Sequence, residues 1–129
     1  MALTLTSREG TKDINAELRK LSPQVTSGIV RMRQAAYADG KVPGKYKLLT
    51  AAAISVAIRC EPCIRAYVEW AGKSGATKEE LVEFLNVAMA MQGCPGEEWA
   101  LKALAAYEEL AEQQGAAPDP SCCTVPASE

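Results

Sequence analysis

Histidine is absent from the 129 residues. That absence removes every mechanism that turns on imidazole and every metal site with a histidine ligand. Aromatic residues are scarce, at 5% with a single Phe, so the apolar fraction of 48% comes mostly from Ala, Leu and Val. Ala and Leu favour helix, and an Ala-rich core implies closely packed helices. No basic cluster stands out. With 14 Lys and Arg against 16 Asp and Glu, the net charge is −2, which excludes a nucleic-acid footprint. No apolar run approaches the ~20 residues of a membrane-spanning helix, so no membrane partner is expected. Met1-Ala2-Leu3-Thr4-Leu5 lacks the basic and apolar regions of a secretion signal, and a reducing, cytoplasmic location is expected. In that setting the five cysteines read as reactive or metal-binding thiols rather than a disulfide scaffold. No phosphate loop, dinucleotide fingerprint or serine nucleophile motif is found, and no cofactor is expected.

What is present is helical. Residues 1–22 read as an arm or short helix. Ser22-Pro23 has the form of a helix start, after which Val25, Ile29, Met32 and Ala36 recur at helical spacing. Asp39-Gly40 stops that helix and Lys41-Val42-Pro43-Gly44 turns the chain. Residues 45–59 are apolar on nearly every face, which predicts a helix buried all round. Pro62 disfavours helical geometry at Glu61 and marks a break, and a further helix is expected from Pro62 to about Lys73. Thr77-Lys78-Glu79-Glu80 is a capping box. It opens a helix with Leu81, Phe84, Leu85, Ala88 and Met91 on one face, ending before a Gly93-Cys94-Pro95-Gly96 turn. A last helix is expected from about Glu97 to Gln114. Glu97, Glu98, Glu108 and Glu109 fit a solvated helix face, while Trp70, Trp99, Tyr37 and Tyr107 fit core or subunit interface. With no strand signal, the fold class is an all-α bundle, a single domain over 23–114. A flexible, cysteine-containing tail is expected over 115–129.

The chemistry-bearing motif is Cys60-Glu61-Pro62-Cys63. Two thiols three residues apart at a helix start lie on one side of the first turn and can close a small disulfide ring. The positive end of the helix stabilises a thiolate there, and Pro62 is tolerated because its missing N–H would have been unpaired. Arg59 and Arg65 favour the anion, and Glu61 opposes it. Cys60, near the N-cap, is expected to be the more exposed thiol. The competing reading is a pair of small buried hydrophobes, since free Cys packs well.

The run Lys47-Leu48-Leu49-Thr50-Ala51-Ala52-Ala53-Ile54-Ser55-Val56-Ala57-Ile58-Arg59-Cys60-Glu61-Pro62-Cys63-Ile64 resembles the signature of the carboxymuconolactone decarboxylase superfamily, in its alkylhydroperoxidase D-like branch. Gly75-Ala76-Thr77-Lys78-Glu79-Glu80-Leu81, followed by Ala88-Met89-Ala90-Met91-Gln92-Gly93, is similar to that branch's next helix. The similarity spans about residues 25–110. It implies a helical domain assembled as a homotrimer or homohexamer. It also implies a redox-active cysteine pair acting on a peroxide or disulfide substrate and drawing on a thiol or dithiol reductant. By the same resemblance Cys63 attacks the oxidant and Cys60 exchanges with the reductant, although the helix dipole alone favours Cys60 as nucleophile. Lactone decarboxylation is not implied, because the true decarboxylases typically lack the pair. The branch places a Glu twelve residues before the first Cys and a His four after the second. Leu48 and Tyr67 stand there instead. Leu48 cannot accept a proton, and a phenol with an ordinary pKa near 10 is a poor base that can still donate a hydrogen bond. Tyr67 is therefore expected to orient the site, with weak or specialised peroxide turnover.

Three further thiols leave a second reading open. Cys94 is a third thiol of the site or a small residue in a turn. Cys122 and Cys123 can resolve another disulfide or bind a soft ion. On that alternative Cys60, Cys63, Cys94, Cys122 and Cys123 hold zinc, copper(I) or trivalent arsenic, and the protein is a binding protein rather than an enzyme.

Overall fold

The computed structural model describes residues 13–114; Cys122 and Cys123 lie outside them. Six helices account for 84% of this span, and no strand occurs among the described residues. The chain divides after Ala36 into two compact units.

The first unit contains α1 (Ile14–Leu21) and most of α2 (Pro23–Tyr37). Asp13 caps α1 by accepting from the N–H groups of Asn15 and Ala16, and α2 starts at Pro23 as the sequence predicts. Ile14, Leu18 and Leu21 share one face of α1 by their i, i+4, i+7 spacing, yet no residue of α1 or α2 is buried.

The second unit holds α3 (Gly44–Ala57), α4 (Glu61–Lys73), α5 (Lys78–Gln92) and α6 (Cys94–Gln114). Helix α3 packs on α4, α5 and α6, and α6 also packs on α4 and α5. The core lies among them: Leu48, Leu49, Ala52 and Val56 from α3, Ile64, Val68 and Ala71 from α4, Leu81, Leu85 and Ala88 from α5, and Ala100, Ala103 and Ala106 from α6. Six of these thirteen side chains are alanines, and their small size lets the helices approach closely. Burial of each large aliphatic group contributes about 1.5–3 kcal/mol. Trp70, Trp99, Tyr37 and Tyr107 pack against this core, in line with their apolar positions in the sequence.

Three expectations need correction. Helix α3 is not buried all round, because its neighbours cover one broad face and leave Ile54 and Ile58 exposed. Met91 does not join the inner face of α5. It is 85% exposed, and Gln92, continuing the 81–85–88 spacing, turns inward instead. The segment from Cys94 to Gly96 is the first turn of α6 rather than a loop. Gly93, with φ 67°, both ends α5 and accepts the Glu97 N–H that starts α6. Pro95 is tolerated in a first turn, where its missing donor has no partner to lose.

Candidate functional site

The site begins at the end of α3. Two backbone hydrogen bonds close that helix: Arg59 N–H donates to Val56 O at 3.1 Å, and Cys60 N–H donates to Ser55 O at 3.0 Å. This paired pattern requires a left-handed residue just past the helix end, and Arg59 supplies it at φ 58°. Among the described residues no other non-glycine has a positive φ. Such a conformation costs about 1–2 kcal/mol for an L-residue with a side chain. Ser55 is buried, with its hydroxyl donating to Ala51 O at 2.7 Å.

The turn delivers Cys60 as the N-cap of α4 in an extended conformation, φ −97° and ψ 95°. Ile64 N–H donates to Cys60 O at 2.9 Å and closes the first turn. The backbone N–H groups of Glu61 and Cys63 come before any intrahelical partner, and Pro62 has none to offer. Cys60 and Cys63 are disulfide-bonded, with Cα atoms 5.2 Å apart. Both are half-buried, so the expected contrast in exposure falls within one range. The positive end of α4 favours a thiolate when the bond is open.

Cys63, Tyr67 and Trp70 follow one another at i, i+4, i+7 along α4, beside the buried line Ile64, Val68 and Ala71. Helical side chains lean toward the N-terminus, which is the direction of Cys63 from Tyr67. The Tyr67 hydroxyl accepts from the Tyr37 hydroxyl at 3.0 Å. Its ring is held edge-on between Tyr37 and Trp70, with centroids 5.4 and 5.2 Å away. Leu48 is 2% exposed and part of the core. Arg65, expected to favour a thiolate, pairs with Glu109 of α6 at 2.9 Å. Glu108 likewise pairs with Lys78.

Cys94 is free and exposed at the first position of α6. Among the described residues no group of three or more His, Cys, Asp or Glu side chains is placed to hold a metal ion. Sequence reasoning placed Tyr37 in the core or an interface without its bond to Tyr67, and it did not single out Gln92. Gln92 left a signal, being a polar residue at the next inward position after 81, 85 and 88.

A small helical domain with a disulfide-forming cysteine pair at a helix N-terminus defines a class of thiol-containing α-bundle proteins. Within that class the chain belongs to the carboxymuconolactone decarboxylase family, whose model matches residues 23–106. Its residues are consistent with the alkylhydroperoxidase D-like branch. It is similar to an uncharacterized protein of Cupriavidus necator, 34% identical over 72% of this chain and 82% of that one. A carboxymuconolactone decarboxylase family protein from Legionella pneumophila, solved in its apo form, superposes with TM-score 0.73 at 39% identity, covering 76% of this chain and 88% of that one. A family member from Thermotoga maritima with a suggested part in the antioxidative response superposes with TM-score 0.65 at 28% identity, covering 81% and 94%. No described helix is long and apolar enough to cross a membrane.

Proposed function

We propose that this chain is a thiol-dependent antioxidant peroxidase or disulfide oxidoreductase working through Cys60 and Cys63. The observation that carries the reading is their bonded pairing at the N-terminus of α4. The suggested antioxidative role of the Thermotoga relative supports it. In the peroxidase cycle the Cys63 thiolate attacks the terminal oxygen of a hydroperoxide. The O–O bond breaks, the alkoxide takes a proton from solvent and leaves as the alcohol, and Cys63 becomes a sulfenic acid. Cys60 attacks that sulfur, forms the disulfide and releases water. An external dithiol then reduces the bond and is itself oxidised to a disulfide. Tyr67, fixed by Tyr37 and Trp70, serves as hydrogen-bond donor to the leaving oxygen, a role a phenol can fill near neutral pH where it cannot act as base.

The test is mass spectrometry of the reduced protein before and after one equivalent of hydroperoxide. Rapid loss of two thiols, mapped to a Cys60–Cys63 disulfide, is expected. Cys60→Ser should stop at a trappable sulfenic acid on Cys63, and Cys63→Ser should lower peroxide consumption by at least ~100-fold. A wild-type protein that leaves peroxide untouched overturns the peroxidase cycle. One that also ignores small disulfides overturns the oxidoreductase reading.

The same reading includes self-association. Ile54 on α3, Ile58 just past its end, and Val87 and Met91 on α5 are exposed, and apolar side chains of this kind suit a subunit interface. Light scattering should give a mass two or more times the 13.8 kDa of one chain, and Ile58→Asp should reduce it.

A further inference from the structure

We propose that Gln92 is the positioning residue of the Cys60–Cys63 couple, an inference that rests on the redox reading above. The last carbonyls of a helix have no intrahelical donors. At the end of α3 the carbonyls of Ile54, Ser55 and Val56 are satisfied by the N–H groups of Ile58, Cys60 and Arg59. The next carbonyl, that of Ala57, accepts from Gln92 Nε2 at 2.8 Å. A side chain thirty-five residues away thus completes the turn that presents Cys60.

Two further observations bear on this contact. Gly96 of α6 lies against the stem of Gln92, since a Cβ at that glycine would come within 2.9 Å of Gln92 Cβ. Gln92 Oε1 is buried with no protein partner among the described residues. An aliphatic side chain would fill the same place without stranding an acceptor, so what the amide contributes is its donor.

The consequence falls unequally on the two redox states. In the disulfide form the Cys60–Cys63 bond itself pins the turn. In the dithiol form that pin is gone, and the Gln92 bond to Ala57 O still holds the turn from which Cys60 departs. Removing it loosens the dithiol more than the disulfide and lowers the effective concentration of one thiol at the other. The equilibrium then moves toward the dithiol.

The experiment equilibrates the full chain with glutathione buffers. Two glutathione thiols pass two electrons and two protons to the protein disulfide, giving the dithiol and one oxidised glutathione. Gln92→Leu should shift this equilibrium toward the dithiol by about tenfold, equivalent to about 30 mV for a two-electron couple. Gln92→Glu provides the second measurement. A protonated carboxyl can donate to Ala57 O, whereas a carboxylate repels it. Compared with wild type at each pH, Gln92→Glu should match it in acid and shift toward the dithiol as its carboxyl ionises. If Gln92→Leu fails to fold, Gln92→Glu decides alone. A lowered Tm with both equilibria within twofold of wild type, at every pH, makes Gln92 a purely structural strut and overturns the proposal. So does a wild-type pair that does not exchange with glutathione. A wild-type pair that exchanges normally yet ignores peroxide sinks the peroxidase cycle and leaves the role of Gln92 to be judged on the equilibria.

Discussion

Helix α4 is entered and left through the same backbone device, made from different residues. At its start, Arg59 and Cys60 donate to Val56 and Ser55; at its end, Gly75 and Ala76 donate to Gly72 and Ala71, at 3.0 and 2.9 Å. Both turns need a left-handed residue. The exit uses Gly75 at φ 91°, and the entry uses Arg59 at φ 58°. Glycine accepts that conformation at no steric cost, so the exit is relaxed and leads into a capping box at Thr77 and Glu80. The entry holds backbone strain on a charged residue and leads into the cysteine pair. Strain of this kind persists only where the surroundings over-determine it, and here Ser55, Gln92 and the disulfide do so. The difference teaches that the entry turn keeps a cation beside Cys60 where an unstrained residue would have been more stable.

Exchanging the residue types tests that comparison. The largest effect should come from Gly75→Val. Nothing lies within 4 Å of the added Cβ, so the cost is backbone strain alone: about 2 kcal/mol, or a fall in Tm on the order of 8 °C, read by thermal melting. Arg59→Gly should do the reverse, gaining up to about 1 kcal/mol as strain is released, while slowing closure of the disulfide, because a cation next to Cys60, the thiol that attacks the sulfenic acid, is lost. Arg59→Asn separates the two causes, since Asn tolerates the left-handed region without charge. Equal slowing in both variants assigns the kinetic effect to the guanidinium. If Arg59→Gly is destabilising, the strain argument fails.

The sequence shows the exit turn far more plainly than the entry. Gly75 and the Thr77–Glu80 pair are local signals whose meaning depends on residues within one turn, and the capping box forms as read. Cys60-Glu61-Pro62-Cys63 is equally local, and the pair meets at the start of α4. Nothing local marks Arg59, because its conformation is imposed by the meeting of two helices rather than by its own preference. Tyr37 with Tyr67, Arg65 with Glu109 and Gln92 with Ala57 are joined across thirty or more residues, and only packing brings them together. The apolar run of α3 predicts more burial than occurs for a related reason: composition reports how much surface prefers burial, while only the neighbours decide how much is covered.

The smallest expected effect concerns pH, and it belongs to the exit side. Glu80 accepts the Thr77 N–H at 3.0 Å and pairs with Lys45 at 3.0 Å. The Thr77 backbone bond first, and the Lys45 ammonium second, hold its carboxyl below the usual carboxylate range. The Glu80 hydrogen bond raises Lys45 above its ordinary 10.5, against some opposing desolvation. A carboxyl depressed in the folded state contributes stability that is complete above its unfolded pKa and is lost as pH falls through its folded one. A raised lysine contributes below its unfolded pKa and loses that contribution as pH climbs through its folded one. The pair therefore supports the fold across the neutral range and fails at both ends. Both side chains are about one-quarter exposed, so solvent screening keeps the contribution small. Glu80→Gln keeps a capping-box acceptor without the charge. Wild type should exceed it slightly in urea midpoint at pH 7, and the gap should close below the carboxylate range. A gap that persists in acid would mean that the Glu80 charge is not its source.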